Sequence, residues 1–206
     1  MTETTDRRAQ RIAKMERLRE QGIDPYPARV HYTHSTAQAI AAYEAAEAQG
    51  DAQVDVEVVG RLVAVRVMGK SAFAHIADGE GRLQLYVRRD LVGEEAYEFF
   101  RRDLDLGDFV WAEGRLFRTR SGEVTVEVRA VRLISKTLRP MPEKWHGLRD
   151  VETRYRQRYL DLMANPETRE VFVRRSRMVS EIRRFLDERG FLEVETPVLQ
   201  PIYGGA

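Results

Sequence analysis

The sequence predicts a chain that is mainly β plus α. A five-stranded barrel is preceded by helices and followed by the first helices and strand of a second, α+β domain. Three observations carry this. Apolar residues recur with helical spacing up to about residue 50, alternate strictly between 54 and 135, and return to helical spacing after a proline-containing break. Turn residues punctuate the alternating region at regular intervals. The basic excess is confined to one segment beyond that region.

The elements follow in order. Over residues 6–21, Ala9, Ile12, Met15 and Leu18 make a narrow apolar stripe on a charged helix. Gly22 can end it, and Asp24-Pro25-Tyr26-Pro27 prevents its return. A second helix is expected from Ser35 to about Gln49, because Ser35 and Gln38 have capping-box spacing and Gly50 suits the stop. Five strands are then expected at about 54–67, 72–78, 82–88, 108–118 and 123–134. A short helical stretch, Glu94 to Asp105, falls after the third, with Tyr97, Phe100 and Leu104 on one side. This is the element order of an OB-fold barrel. The first strand changes its apolar phase from even to odd positions, which calls for a bend or bulge near Gly60. Residues 136–149 read as a linker with Pro140, Pro142 and Gly147. One helix is expected over Asp150–Met163, and another capped by Asn165, opened by Pro166 and ended by Gly190. The second would bury Val171, Phe172, Val179, Ile182, Phe185 and Leu186. Phe191 to Pro197 reads as a strand closed by proline. The division is therefore 1–53 (N-terminal helices), 54–135 (barrel), 136–149 (linker) and 150–206, read as the incomplete start of a second domain.

Composition narrows the function. The net charge is +1 over 206 residues, which argues against binding nucleic acid through charge alone. With no cysteine there is no disulfide scaffold, thiolate metal site or cysteine nucleophile. The N-terminus has no apolar stretch fit for a signal peptide, and no run approaches the ~18 apolar residues of a membrane span, so a cytoplasmic protein with no membrane partner is expected. His31 and His34 lack a third ligand, so no metal site is expected. No nucleophile–base arrangement or carboxylate pair suggests catalysis, and no catalytic residue is assigned.

Alternation selects the face that could read nucleic acid. If Leu83, Leu85 and Val87 face inward, Gln84 and Tyr86 face out. If Ala72, Ala74 and Ile76 fill the interior, Phe73 and His75 face out together. Arg61 joins them provided no bulge precedes it. An exposed ring can stack on an unpaired base, and the Gln84 amide offers a donor and an acceptor to a base edge such as that of uracil. The alternatives are a core Phe73, a merely solvated Gln84 and an Arg61 paired with Glu57. OB barrels also bind sugars and proteins.

Lys144-Trp145-His146-Gly147-Leu148, the run Arg154-Tyr155-Arg156-Gln157-Arg158-Tyr159-Leu160-Asp161-Leu162, and Phe191 to Pro197 with Gly204-Gly205-Ala206 closely resemble bacterial class II lysyl-tRNA synthetases. The resemblance covers nearly the whole chain. It implies an OB domain that grips the anticodon loop of tRNA(Lys), followed by a catalytic domain on an antiparallel sheet. Phe73 falls at the position whose ring stacks on an anticodon base. Gln84 falls at the position that reads the central uridine. Arg61 matches a further anticodon contact, and the resemblance carries His75 over with them as a nucleic-acid-binding residue. That uridine is shared by lysine, aspartate and asparagine tRNAs, so this face alone would not specify lysine. The segment ending at Pro197 resembles motif 1, which implies a homodimer with Pro197 at its interface. Gly204 and Gly205 resemble the loop bordering the lysine pocket, where backbone approaches substrate. The full enzyme would use ATP and Mg2+ to form lysyl-adenylate. No cofactor is expected in this chain, because motifs 2 and 3, which clamp ATP and metal, do not occur in it. These 206 residues alone are expected not to activate lysine. The alternatives are a stand-alone OB-fold RNA-binding and dimerisation module without catalysis, and a structural partner of another synthetase subunit.

Overall fold

A computed structural model describes residues 2–141, 148–199 and 204. The chain divides into two compact units, 1–141 and 142–206. In the first, α1 (Thr2–Glu20) and α2 (Thr36–Ala48) precede β1 (Asp55–Met68), β2 (Ser71–Ala77) and β3 (Arg82–Arg88). Two short helices follow, α3 (Arg89–Val92) and α4 (Glu94–Arg102), then β4 (Phe109–Arg118) and β5 (Val124–Ser135). The strands close into a barrel in the order β1-β2-β3-β5-β4, with β3 and β5 parallel and every other pair antiparallel. A closed barrel leaves no sheet edge free for unwanted pairing.

The expected strands are present within one or two residues. Val56, Val58 and Leu62 of β1, Ala72, Ala74 and Ile76 of β2, and Leu83, Leu85 and Val87 of β3 fill the interior, where Val58, Ala74, Ile76, Leu85 and Val126 are wholly buried. The bulge of β1 lies between Leu62 and Ala64, later than expected. It still switches the phase, since Val65 and Val67 then lie opposite the inward Ala74 and Ala72. Tyr97 and Phe100 of α4 join this core, and Tyr97 Oη donates to the Gly69 carbonyl at 2.9 Å. Ser35 caps α2 with both hydrogen bonds of the capping box.

Between Glu113 and Gly114 the register of β4 against β5 shifts. A Cβ there would run into the Glu127 carbonyl, 2.8 Å from its carbon and 2.9 Å from Val126 Cγ1. Because the obstacle is backbone, Gly114→Ala is expected to lower stability by roughly 1–3 kcal/mol, read as a lower urea midpoint at unchanged slope.

The second unit departs from expectation in four places. The helix expected over 150–163 is two helices, α5 (Val151–Arg156) and α6 (Arg158–Ala164), broken at Gln157, whose φ of −118° and ψ of 58° are not helical. Asn165 precedes α7 (Pro166–Asp187) without capping it by its side chain. Its amide instead holds Leu148 at both backbone groups and reaches Asp161 Oδ1 at 2.5 Å. The apolar stripe of α7 is largely uncovered, with Phe172, Ile182 and Phe185 exposed. Residues 191–197 form no strand, because no strand of this unit among the described residues lies beside them. The motif residues 144–147 lie outside the described residues.

Candidate nucleic-acid interface

Register decides what meets on the outside of the barrel. Arg66 of β1 lies opposite Phe73 of β2, and Phe73 lies opposite Tyr86 of β3. In the next row, Ala64, His75, Gln84 and Thr125 follow one another across β1, β2, β3 and β5. Residues directly opposite across a ladder share one face of the sheet, so these two rows form one surface.

The first row is an aromatic plate. The rings of Phe73 and Tyr86 stack with centroids 4.5 Å apart and planes at 19°. Phe117 abuts Tyr86 at 6.2 Å. Phe73 is half-buried rather than sunk in the core, because Tyr86 takes one face of its ring. The exposed Arg66 stands at its other side.

The second row is a hydrogen-bonded cluster. Gln84 Nε2 donates to Glu123 Oε2 at 2.7 Å, and Thr125 Oγ1 donates to Gln84 Oε1 at 2.8 Å. His75 Nε2 lies 2.8 Å from Glu123 Oε1. Gln84 keeps one N–H and one lone pair unused by these bonds. An amide so placed, beside stacked rings on an open sheet face, can meet the edge of a base while the rings meet its plane.

The structure thus brings Phe73, His75 and Gln84 together. Arg61 shares the face, but its guanidinium turns away from them. It donates to the Gly107 carbonyl at 3.1 Å and lies 4.4 Å over the Phe109 ring. Burial pulls the Arg61 guanidinium below its ordinary value. Glu57, its alternative partner on sequence grounds, accepts instead from Trp111 Nε1 at 3.2 Å. The cation beside the plate is Arg66. Pro197 and Gly204 are exposed in the second unit, and Gly205 lies outside the described residues. Sequence reasoning missed Tyr86 as the partner ring, along with Arg66, Glu123 and Thr125. Alternation had already placed Tyr86 outside, but only the β2–β3 register sets it against Phe73. Among the described residues no group of three or more His, Asp or Glu side chains could hold a metal ion, and no helix is long and apolar enough to cross a membrane.

A closed five-stranded barrel with this strand order and a helix after the third strand is an OB-fold. Residues 56–134 match the family described as OB-fold nucleic acid binding domain, and residues 150–206 match the family of class II tRNA synthetases (D, K and N). Over 205 residues the chain is 53% identical to a lysine–tRNA ligase of Roseiflexus sp. (strain RS-1), covering 99% of this chain and 41% of that protein. It is 52% identical to the lysine–tRNA ligase of Moorella thermoacetica, covering 98% and 40%, and 51% identical to that of Chloroflexus aurantiacus, covering 99% and 41%. The chain belongs to the lysine–tRNA ligase family, and it spans about two fifths of the length of the curated relatives it matches.

Proposed function

We propose that the outer face of β1, β2, β3 and β5 binds the anticodon loop of a lysine tRNA. In this reading Phe73, backed by Tyr86, stacks on an unpaired anticodon base and the Gln84 amide reads the central uridine. Arg66 serves the phosphate or a base oxygen, and Arg61 contributes at the margin. The observation that carries this is the stacked Phe73–Tyr86 pair beside an amide with a donor and an acceptor to spare. The near-neutral net charge accords with it, because stacking and edge bonds need few phosphate contacts.

The whole ligase would form lysyl-adenylate from lysine and ATP with Mg2+ and pass lysine to the tRNA. It would work as a homodimer, with the apolar side of α7 and the segment through Pro197 against the partner subunit. Gly204 and Gly205 would border the lysine pocket. The exposed Phe172, Ile182 and Phe185 support the dimer reading.

The test is titration of fluorescent anticodon stem-loops that differ only at the central base. The uridine form is expected to bind best, by about five- to tenfold over the others, the worth of roughly one hydrogen bond. Equal affinity for all four bases would overturn the assignment of Gln84.

A further inference from the structure

Closure of the barrel uses only part of β1. Its pairing with β4 runs from Asp55 to Arg61. Leu62 extends it, giving its N–H to the Asp108 carbonyl at 2.7 Å and taking the Gly107 N–H at 2.8 Å. Past the bulge between Leu62 and Ala64, the strand runs on to Met68 along β2 alone. Among the described residues, no backbone group bonds to the side of Ala64–Met68 that faces away from β2. The closed part of the barrel has no edge, but this half of β1 is one.

An edge strand offers unpaired N–H and C=O groups to any further strand, and stable proteins blunt it with proline, charge or cover. This one has no proline. Among the described residues nothing covers it, and every residue from Val65 to Met68 is exposed. Val65 and Val67 share one face, opposite Ala74 and Ala72, and are 39% and 43% exposed. Arg66 lies on the other face, and among the described residues its guanidinium has no ion pair or hydrogen bond. Lys70, exposed just past the turn, adds a second cation.

This pattern defines its complement. A strand laid on the edge would set apolar side chains beside Val65 and Val67 and a carboxylate beside Arg66. A second copy of the chain fits poorly, because antiparallel self-pairing centred on Arg66 places two guanidinium groups opposite each other. A nucleic acid would answer Arg66 but supplies no strand backbone for the open N–H and C=O groups.

We propose that Ala64–Met68 is a docking edge for an extended protein segment of apolar–acidic–apolar pattern, which joins the sheet as an added strand beside β1. This role is separate from RNA binding and does not depend on it.

The test uses the 206-residue chain and two fluorescent heptapeptides, Ser-Thr-Val-Glu-Val-Thr-Ser and the same sequence with lysine at its centre. The glutamate peptide is expected to bind more tightly by about three- to tenfold, and Arg66→Glu is expected to reverse the order by a similar factor. Arg66 is exposed, so the variant keeps the fold, which a melting curve verifies. Replacing both valines, Val65→Thr with Val67→Thr, is expected to weaken both peptides, since it removes apolar surface and keeps a β-branched strand. Hydrogen exchange should slow at the amides of Ala64–Met68 when the glutamate peptide is added. No binding of either peptide, a preference that Arg66→Glu leaves unchanged, or slowed exchange only outside Ala64–Met68 would overturn the proposal. So would slowing of these amides by higher concentrations of the chain alone, or by an anticodon stem-loop and not by peptide. Those results would assign the edge to a second copy or to RNA.

Discussion

Phe73→Ala is expected to weaken binding of an anticodon stem-loop by roughly five- to 150-fold, the range of 1–3 kcal/mol that base–aromatic stacking contributes. The ring is the half of the plate that a base can reach, since Tyr86 covers its other face. Stability should fall much less. Phe73 is half-buried, and its neighbours along β2, Ala72 and Ala74, keep the strand seated in the core. Phe73→Trp should bind nearly as well as the wild type, because a larger ring preserves the stack. Anisotropy titration at fixed salt, with melting curves as control, separates the two effects. Binding that survives Phe73→Ala undiminished would leave the barrel face with no role in RNA recognition and would favour a protein partner.

The largest loss of stability is expected from Lys136→Met. Lys136 follows β5, and its side chain is completely buried. Its ammonium donates to the Asp103 carbonyl at 2.6 Å, to Asp105 Oδ2 at 2.6 Å and to Asp108 Oδ2 at 2.7 Å. Asp108 is itself fully buried and also accepts the N–H groups of Asp105 and Thr137. The knot extends to α1, where Lys14 pairs with Asp105 at 2.8 Å, Arg17 pairs with Asp103, and Arg11 donates to the carbonyls of Leu106, Thr137 and Arg139. Methionine matches the length of lysine but supplies no charge, so Asp108 would be left as a buried anion without its counter-ion. Breaking one side of such a pair costs about 3–5 kcal/mol. The measurement is the urea midpoint of the variant against the wild type. A shift below a third of that range would mean that water or Lys14 takes over the role.

The same knot gives stability a pH dependence of definite sign. Burial pushes the Asp105 carboxyl up, but the hydrogen bonds from Lys136 and Lys14 outweigh it and leave the group below its ordinary value. A folded-state value below the unfolded one favours the fold at pH above the ordinary carboxylate range. That contribution is lost as pH falls through and below the range, about 4 and downward. Lys136→Met should therefore flatten the acid limb of the stability profile as well as lower its plateau.

Much of the barrel could be read directly because each strand has one wet and one dry side. Val56, Val58, Leu83, Leu85, Val126 and Val128 alternate with polar residues, and a period of two has one structural meaning. The capping box at Ser35 and Gln38 was equally legible, being a contact between near neighbours in the chain. The second unit was less so. Its apolar residues on α7 carry the pattern of a buried face, yet a pattern records what a face is suited to bury, not what lies against it. The strand expected at 191–197 has the same difficulty, because a strand is completed only by a neighbour that accepts its hydrogen bonds. The break at Gln157 has no glycine or proline to announce it.

The candidate site divides along the same line. Alternation along β2 and β3 was enough to set Phe73, His75, Gln84 and Tyr86 outside the barrel, since that depends only on local backbone geometry. Which of them touch was a matter of register and bulge. Those bring Phe73 against Tyr86, set Arg66 rather than Arg61 beside the plate, and carry Glu123 across from the far side of a turn to hold the Gln84 amide. Such pairings join residues as far as 48 positions apart in the chain. Only closure of the barrel brings them within a hydrogen bond's reach, so no local pattern encodes them.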